Sequence, residues 1–225
     1  MQANVKEQLN AFFEGKTSEE LSQMLRDFNT LMTYYRCAIL EVETKFNVLN
    51  EQLSLVSERN PIVGINSRLK SLDSIREKLF RKGFPVTLSA VEEQLKDVAG
   101  IRVICGFVDD IYMLADCLIS QDDVTLIERK DYIKNPKPNG YRSLHLIVEV
   151  PIFLCNEKKR IKVEVQLRTI AMESWANLEH RLRYKKNLDE ELLAKTADML
   201  LECAELSETL DEKMQRIRNM IEKEA

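Results

Sequence analysis

The sequence predicts an α+β fold: a mixed, largely antiparallel sheet of about five strands, flanked by helical segments at both ends. Three observations predict it. Residues Arg160 to Arg168 alternate without a break, with Ile161, Val163, Val165 and Leu167 on one side and Lys162, Glu164, Gln166 and Arg168 on the other. That period of two is the mark of a half-buried strand. Further short apolar runs are bounded by Pro, Gly, Asn and charged turns, while the two ends of the chain repeat apolar residues at the three- and four-residue spacing of a helix.

Taken in order, residues 1–59 read as helix: a short piece from Asn4 to Phe13, a break at Gly15 and a long second helix. Thr17 and Glu20 have capping-box spacing, and Leu21, Met24, Leu25, Phe28, Leu31, Met32 and Tyr35 continue a helical stripe. Such a stripe faces a core or, less commonly, another subunit. Asn60-Pro61 ends the helix, and Ile62 to Lys70 forms a first strand. Ser71 to Lys82 is a basic helix stopped at Gly83, and Ser89 and Glu92 cap a second short helix that leads to Asp97. Val98 to Cys105 is a central strand interrupted by Arg102, whose charge requires an anionic partner. Asp109 and Asp110 open a helix carrying Ile111, Leu114, Ala115 and Leu118, and Val124 to Glu128 is the next strand. After a Pro/Gly loop, Ser143 to Phe153 and Arg160 to Thr169 form an antiparallel pair joined by a polar turn at Asn156 to Lys159. Thr169 to Tyr184 and Leu188 to Lys223 are helical again.

Composition narrows the function. A length of 225 residues suits one core with appended helices. The net charge of −4 argues against a general nucleic-acid binder, so RNA is not expected as the primary partner. Cys37, Cys105, Cys117, Cys155 and Cys203 have no paired spacing, which reads as reduced thiols rather than a disulfide frame or zinc site. No signal peptide and no bilayer-length apolar run are seen, giving the expectation of a soluble, cytoplasmic protein without a membrane partner.

The loop Asn135-Pro136-Lys137-Pro138-Asn139-Gly140-Tyr141-Arg142-Ser143-Leu144-His145 concentrates the chemistry. Its prolines stiffen the approach and Asn139-Gly140 supplies the reversal. Lys137 and Arg142 can meet phosphate, Tyr141 offers a stacking face and His145 enters the next strand with a polar tip. On residues alone, a solvated hairpin connection fits this loop as well as a cradle for an anionic, ring-bearing ligand. Likewise, the polar face holding Glu164 is an ordinary solvated sheet face unless a second carboxylate lies near it, for which Asp97 is the candidate.

Four ordered motifs resemble those of the RelA/SpoT alarmone synthetase domain: Leu95-Lys96-Asp97-Val98-Ala99-Gly100-Ile101-Arg102-Val103, Asn139-Gly140-Tyr141-Arg142-Ser143-Leu144-His145, Glu164-Val165-Gln166-Leu167-Arg168-Thr169 and Trp175-Ala176-Asn177-Leu178-Glu179-His180. The resemblance covers Asn60 to Lys185, and the length resembles the small members of the family. It implies a nucleotidyltransferase-like core over residues 60–186, with helical segments over residues 1–59 and 187–225. It also implies transfer of pyrophosphate from ATP to the ribose 3′-hydroxyl of GTP or GDP, releasing AMP, in the stringent response.

The resemblance assigns roles residue by residue. Asp97 would be chiefly a ligand for Mg2+, and Glu164 would share that metal and accept the proton of the attacking hydroxyl. Arg68 and Arg102 would lie near adenine, with Lys70, Ser74, Lys78 and Arg81 near the triphosphate. Ser74, Lys78 and Arg81 share a helix face that solvent exposure alone would also explain. On the guanine side, Tyr141 would stack the base, Lys130 and Lys137 would meet phosphates, His145 would bind a phosphate or position the ribose, and Gln166 would support the acceptor. Glu179 would accept hydrogen bonds from guanine N1 and N2, which adenine cannot donate; its simpler role is a surface pair with Arg183. Trp175 and His180 read as structural, and Glu173 departs from the Asp or Asn that relatives carry there.

The only histidines, His145 and His180, lie inside these motifs, so the histidine-aspartate hydrolase site of the long family members is not expected; nor is there room for their C-terminal regulatory domains. The resemblance further implies a homotetramer through the terminal helices and allosteric stimulation by (p)ppGpp. Two rivals are a related enzyme that transfers AMP and a non-catalytic guanine-nucleotide or RNA-binding regulator on the same scaffold.

Overall fold

The computed structural model describes residues 17–57, 60–183 and 190–224. The short helix expected from Asn4 to Phe13 lies outside them. Helix α1 (Ser18–Ser57) starts at the expected capping box, with the Glu20 amide donating to Thr17 Oγ1 at 3.2 Å and the Thr17 amide to Glu20 Oε2 at 2.7 Å. Its core side is Leu31, Tyr35, Ala38, Ile39, Val42, Phe46 and Leu49, a helical stripe displaced toward the C-terminus from the one the sequence indicated. Leu25, expected in that stripe, is exposed, because the first turns of α1 run past the edge of the core.

Strand β1 (Ile62–Leu69) leads to α2 (Leu72–Arg81), capped by Ser71 and followed by Gly83 at φ +72°. Helix α3 (Leu88–Gln94) is capped by Thr87, whose hydroxyl accepts from the Ala90 amide at 3.2 Å. The cap is therefore two residues earlier than Ser89. Thr87 has the extended backbone an N-cap needs, at φ −129° and ψ 158°, and Ser89 already lies within the helix. Strand β2 (Ala99–Cys105), helix α4 (Val108–Ile119), strands β3 (Thr125–Asp131), β4 (Leu144–Phe153) and β5 (Lys158–Thr169), and helices α5 (Ile170–Arg183) and α6 (Glu190–Glu224) complete the described chain.

The sheet has the order β1-β2-β5-β4-β3. Only the β2–β5 pair is parallel; the others are antiparallel. Helices α1 and α4 pack on one face, against Ile101 and Val103 of β2, Leu146 and Val148 of β4, and Val163 and Val165 of β5. Side chains alternate across the pleat, so the intervening residues of these strands necessarily share the opposite face. Helix α5 continues from β5, and α6 packs against α5. Gly140, at φ +86°, sits so close to α6 that an added Cβ would lie 2.4 Å from the Ala204 Cβ.

Candidate active site

Strand register assembles the site from distant segments. Asn66, Arg102, Gln166, His145 and Lys130 stand opposite one another across all five strands. In the adjacent row, Arg68 pairs with Gly100 and Gly100 with Glu164. The missing side chain at Gly100 leaves the floor low between an arginine and a carboxylate, and Arg68 lies over it. Arg68, Arg102, Glu164 and Gln166 together line a cleft of about 180 Å³ with Asn66 and Ser67.

Asp97 enters at the N-terminal end of β2. Its Oδ2 receives Lys70 Nζ at 2.9 Å and Lys78 Nζ at 2.6 Å. Its Oδ1 is buried and has no hydrogen-bond partner. Burial pushes this carboxyl upward, but the Lys78 and Lys70 ammoniums outweigh it and hold it below the ordinary carboxylate range. Glu164 is also held low: burial raises it, while His145 and Gln166 more than offset that. The charge of Asp97 opposes this lowering, so the two carboxylates influence each other. A buried carboxylate oxygen without a hydrogen-bond partner fits a hard divalent cation, which takes one or two carboxylates and completes its shell with phosphate oxygens and water. Among the described residues there is no cluster of three or more His, Cys, Asp or Glu that could hold a metal, so a denser all-protein site is not an alternative there.

On the other side of Glu164, rings converge. His145 presents Nδ1 to Glu164 Oε1 at 3.6 Å, and its Nε2 is 2.8 Å from the Tyr141 hydroxyl. Lys137 Nζ lies 4.7 Å from the centroids of both Tyr132 and Tyr141. Tyr132 meets His145 edge-on at 5.2 Å. Gln166 Nε2 donates to Glu164 Oε2 at 2.9 Å.

The structure thus brings together Asp97, Lys70 and Lys78 at one end, Arg68, Arg102, Glu164 and Gln166 in the cleft, and Lys137, Tyr141 and His145 beside it. Other residues singled out in the sequence are less engaged. The Ser74 hydroxyl accepts from Ser71 Oγ at 2.9 Å within the α2 cap, and Arg81 is exposed one turn beyond Lys78. Lys130 pairs with Glu128 at 2.9 Å. Glu179 is half-buried further along α5, on the side of Met172 and Trp175.

Four further residues had no site role assigned from the sequence. Tyr132 joins the ring cluster from the end of β3. Glu173, 8% exposed, is the anion Arg102 required, at 2.8 Å, and Arg168 reaches its other oxygen at 2.8 Å. Asp211 of α6 holds Thr169 Oγ1 at 2.9 Å and lies 3.6 Å from Arg142. Arg168 carried a signal in its alternation with Glu164 and Gln166, which sets it on the site face, and Glu173 in its departure from the family pattern.

A family model described as the region found in RelA / SpoT proteins matches residues 67–189, more than half of the sequence. The chain belongs to the RelA/SpoT family. It is 41% identical over 204 residues to GTP pyrophosphokinase YwaC of Bacillus subtilis (strain 168), an alignment spanning 91% of this chain and 96% of that relative. It is 34% identical to GTP pyrophosphokinase YjbM of the same organism, over 88% of this chain and 91% of that one. Among solved structures, small alarmone synthetase 1 from Bacillus subtilis bound to its product pppGpp matches with a TM-score of 0.77 and 34% identity, covering 88% and 99% of the two chains. The same enzyme bound to AMPCPP matches with a TM-score of 0.73 and 32% identity, covering 88% and 99%. In this chain Glu173 bridges Arg102 and Arg168.

Proposed function

We propose that this chain transfers the β,γ-pyrophosphoryl group of ATP to the ribose 3′-hydroxyl of GTP or GDP, making pppGpp or ppGpp and releasing AMP. It is a GTP pyrophosphokinase. The observation that carries the site assignment is Glu164 lining a cleft with Arg68 and Arg102, with Asp97 held by Lys70 and Lys78 at the end of β2 and the His145, Tyr141 and Lys137 cluster beside it. Such a reaction asks the protein mainly to align two nucleotides and neutralise phosphate charge.

Asp97 and Glu164 are the residues that would hold Mg2+, which when bound would neutralise phosphate oxygens during transfer. Lys70 and Lys78 keep Asp97 ionised and stand where a triphosphate needs cations. Arg68 and Arg102 line the adenine side and can stack a base with their guanidinium planes. Tyr141 and Lys137 form the guanine platform, His145 meets a phosphate or the ribose, and Glu179 reads guanine N1 and N2. Ser74, Arg81 and Lys130 serve the phosphates from the rim. The 3′-oxygen attacks Pβ, the bond from Pβ to the α-phosphate oxygen breaks, and the hydroxyl proton passes to Glu164.

The wider assignment is a cytoplasmic homotetramer. Leu206, Leu210, Ile217 and Ile221 leave an exposed apolar stripe on α6 that a second subunit would cover, and light scattering that gives a monomer would remove this assignment. The reaction itself is tested by incubating the protein with ATP, GTP and Mg2+ and resolving the nucleotides. AMP and a guanosine 3′-pyrophosphate are expected in equal amounts. Transfer of AMP, or ATP hydrolysis alone, would overturn the assignment.

A further inference from the structure

Behind the cleft, five side chains close a ring. Arg168 Nη2 donates to the Tyr141 hydroxyl and, at 2.9 Å, to Gln166 Oε1. Gln166 Nε2 donates to Glu164 Oε2 at 2.9 Å, Glu164 Oε1 faces His145 Nδ1 at 3.6 Å, and His145 Nε2 meets the Tyr141 hydroxyl at 2.8 Å. The ring has a direction. A guanidinium only donates and a carboxylate only accepts, so the Tyr141 hydroxyl takes a hydrogen bond from Arg168; with the hydrogen of a neutral His145 on Nδ1, toward Glu164, Nε2 accepts from the Tyr141 hydroxyl. The Gln166 amide is oriented the same way, with its oxygen to Arg168 and its nitrogen to Glu164. Both arms therefore run from one cation to the reacting carboxylate.

The Arg168 side chain is only 5% exposed, so water cannot carry its charge. Glu173 carries it instead, and the other oxygen of the same carboxylate receives Arg102 Nη1 at 2.8 Å and Asn177 Nδ2 at 2.9 Å. One buried carboxylate thus anchors two arginines, one behind the tyrosine platform and one lining the cleft. Fixed planar forks of this kind set orientation as well as position.

We propose that Arg168 and Glu173 are positioning residues for the two nucleotides: Arg168 sets Tyr141 and Gln166 for the guanine nucleotide, and Glu173 sets Arg168 and Arg102 together. This rests on the assignment of Tyr141 to the guanine nucleotide and Arg102 to ATP. Neither Arg168 nor Glu173 need touch a substrate.

Steady-state kinetics on the full chain, varying each nucleotide at saturating levels of the other, separates these roles. Arg168→Lys keeps the charge and loses the fork, and should raise KM for GTP on the order of tenfold while KM for ATP stays put. Glu173→Gln releases both arginines and should raise both KM values. Tyr141→Phe keeps the stacking face and removes only the hydroxyl, so it should reproduce the selective rise for GTP, and adding Arg168→Lys to it should cost much less than the two single effects combined. A merely structural role would lower kcat through lost active enzyme and leave both KM values alone. That result, or equal KM changes for both nucleotides in Arg168→Lys, would overturn the proposal. Should Arg168→Lys fail to fold, an unchanged KM for GTP in Tyr141→Phe overturns it as well. A wild-type protein that makes no 3′-pyrophosphate would instead overturn the functional reading, so the two failures are distinguishable.

Discussion

Replacing Gly140 by Ala tests whether the C-terminal helix is part of the guanine-side architecture. Gly140 closes the loop, donating its amide to the Lys137 carbonyl at 2.8 Å, and does so at φ +86°. A Cβ there costs about 1–2 kcal/mol in backbone strain alone. It would also lie 2.4 Å from the Ala204 Cβ and 3.3 Å from Leu201 Cδ1, both on α6. Overpacking of that kind adds about 1–3 kcal/mol, for a total of about 2–5 kcal/mol. In a chain of this size that lowers Tm by about 4–20 °C, measured at fixed protein concentration. Ala204→Gly removes the colliding atom but leaves the φ strain and costs about 1 kcal/mol of helix propensity. Denaturation of the two single variants and the double variant should therefore give a favourable coupling of about 1–3 kcal/mol. Zero coupling, or a Gly140→Ala variant within about 0.5 kcal/mol of the parent, would refute the packing argument.

Glu164→Gln should lower turnover by about 10²–10⁴-fold in a chain that still folds, and an active variant would remove Glu164 from the chemistry. Trp175→Phe loses the Nε1 hydrogen bond to the Leu200 carbonyl, 2.9 Å long, and should cost about 1–2 kcal/mol in a denaturant titration. Asp97 and Glu164 both titrate below their ordinary range in the folded chain, so the unfolded chain takes up protons first as pH falls. Their stabilising contribution is complete above the ordinary carboxylate range and is lost as pH drops through the folded values, below about pH 4. Asp211, which burial pushes upward, works in the opposite direction. The difference between parent and Asp97→Asn is thus the cleaner measure: the variant should lose less stability on acidification, and an equal or steeper loss would contradict the Asp97 pairing.

The fold was legible wherever one physical signal dominated. Unbroken alternation in β5 fixed both its core side and the face that carries Glu164, and the Thr17–Glu20 box fixed the start of α1. At α3 sequence spacing pointed to Ser89 as the cap, but the extended backbone lies at Thr87, which caps the helix instead. At the site, sequence demanded an anion for Arg102 without being able to name it, because Glu173 comes from a helix 71 residues away in the chain. Lys70 and Lys78 look like phosphate ligands in sequence; folding first turns them onto Asp97, since two neighbouring ammoniums and a buried carboxylate satisfy one another. The role of α6 was hidden for a similar reason: its amphipathic pattern announces packing, but not that Ala204 and Asp211 would meet the loop and the start of α5.

The most direct measurement is the position of the cation in a crystal soaked with Mn2+, a non-hydrolysable ATP analogue and GTP, read from its anomalous signal. A peak within coordination distance of both Asp97 Oδ1 and the Glu164 carboxylate, between the two nucleotides, is the predicted result. A peak that touches neither carboxylate, or nucleotides bound away from the cleft between β1, β2 and β5, would contradict it.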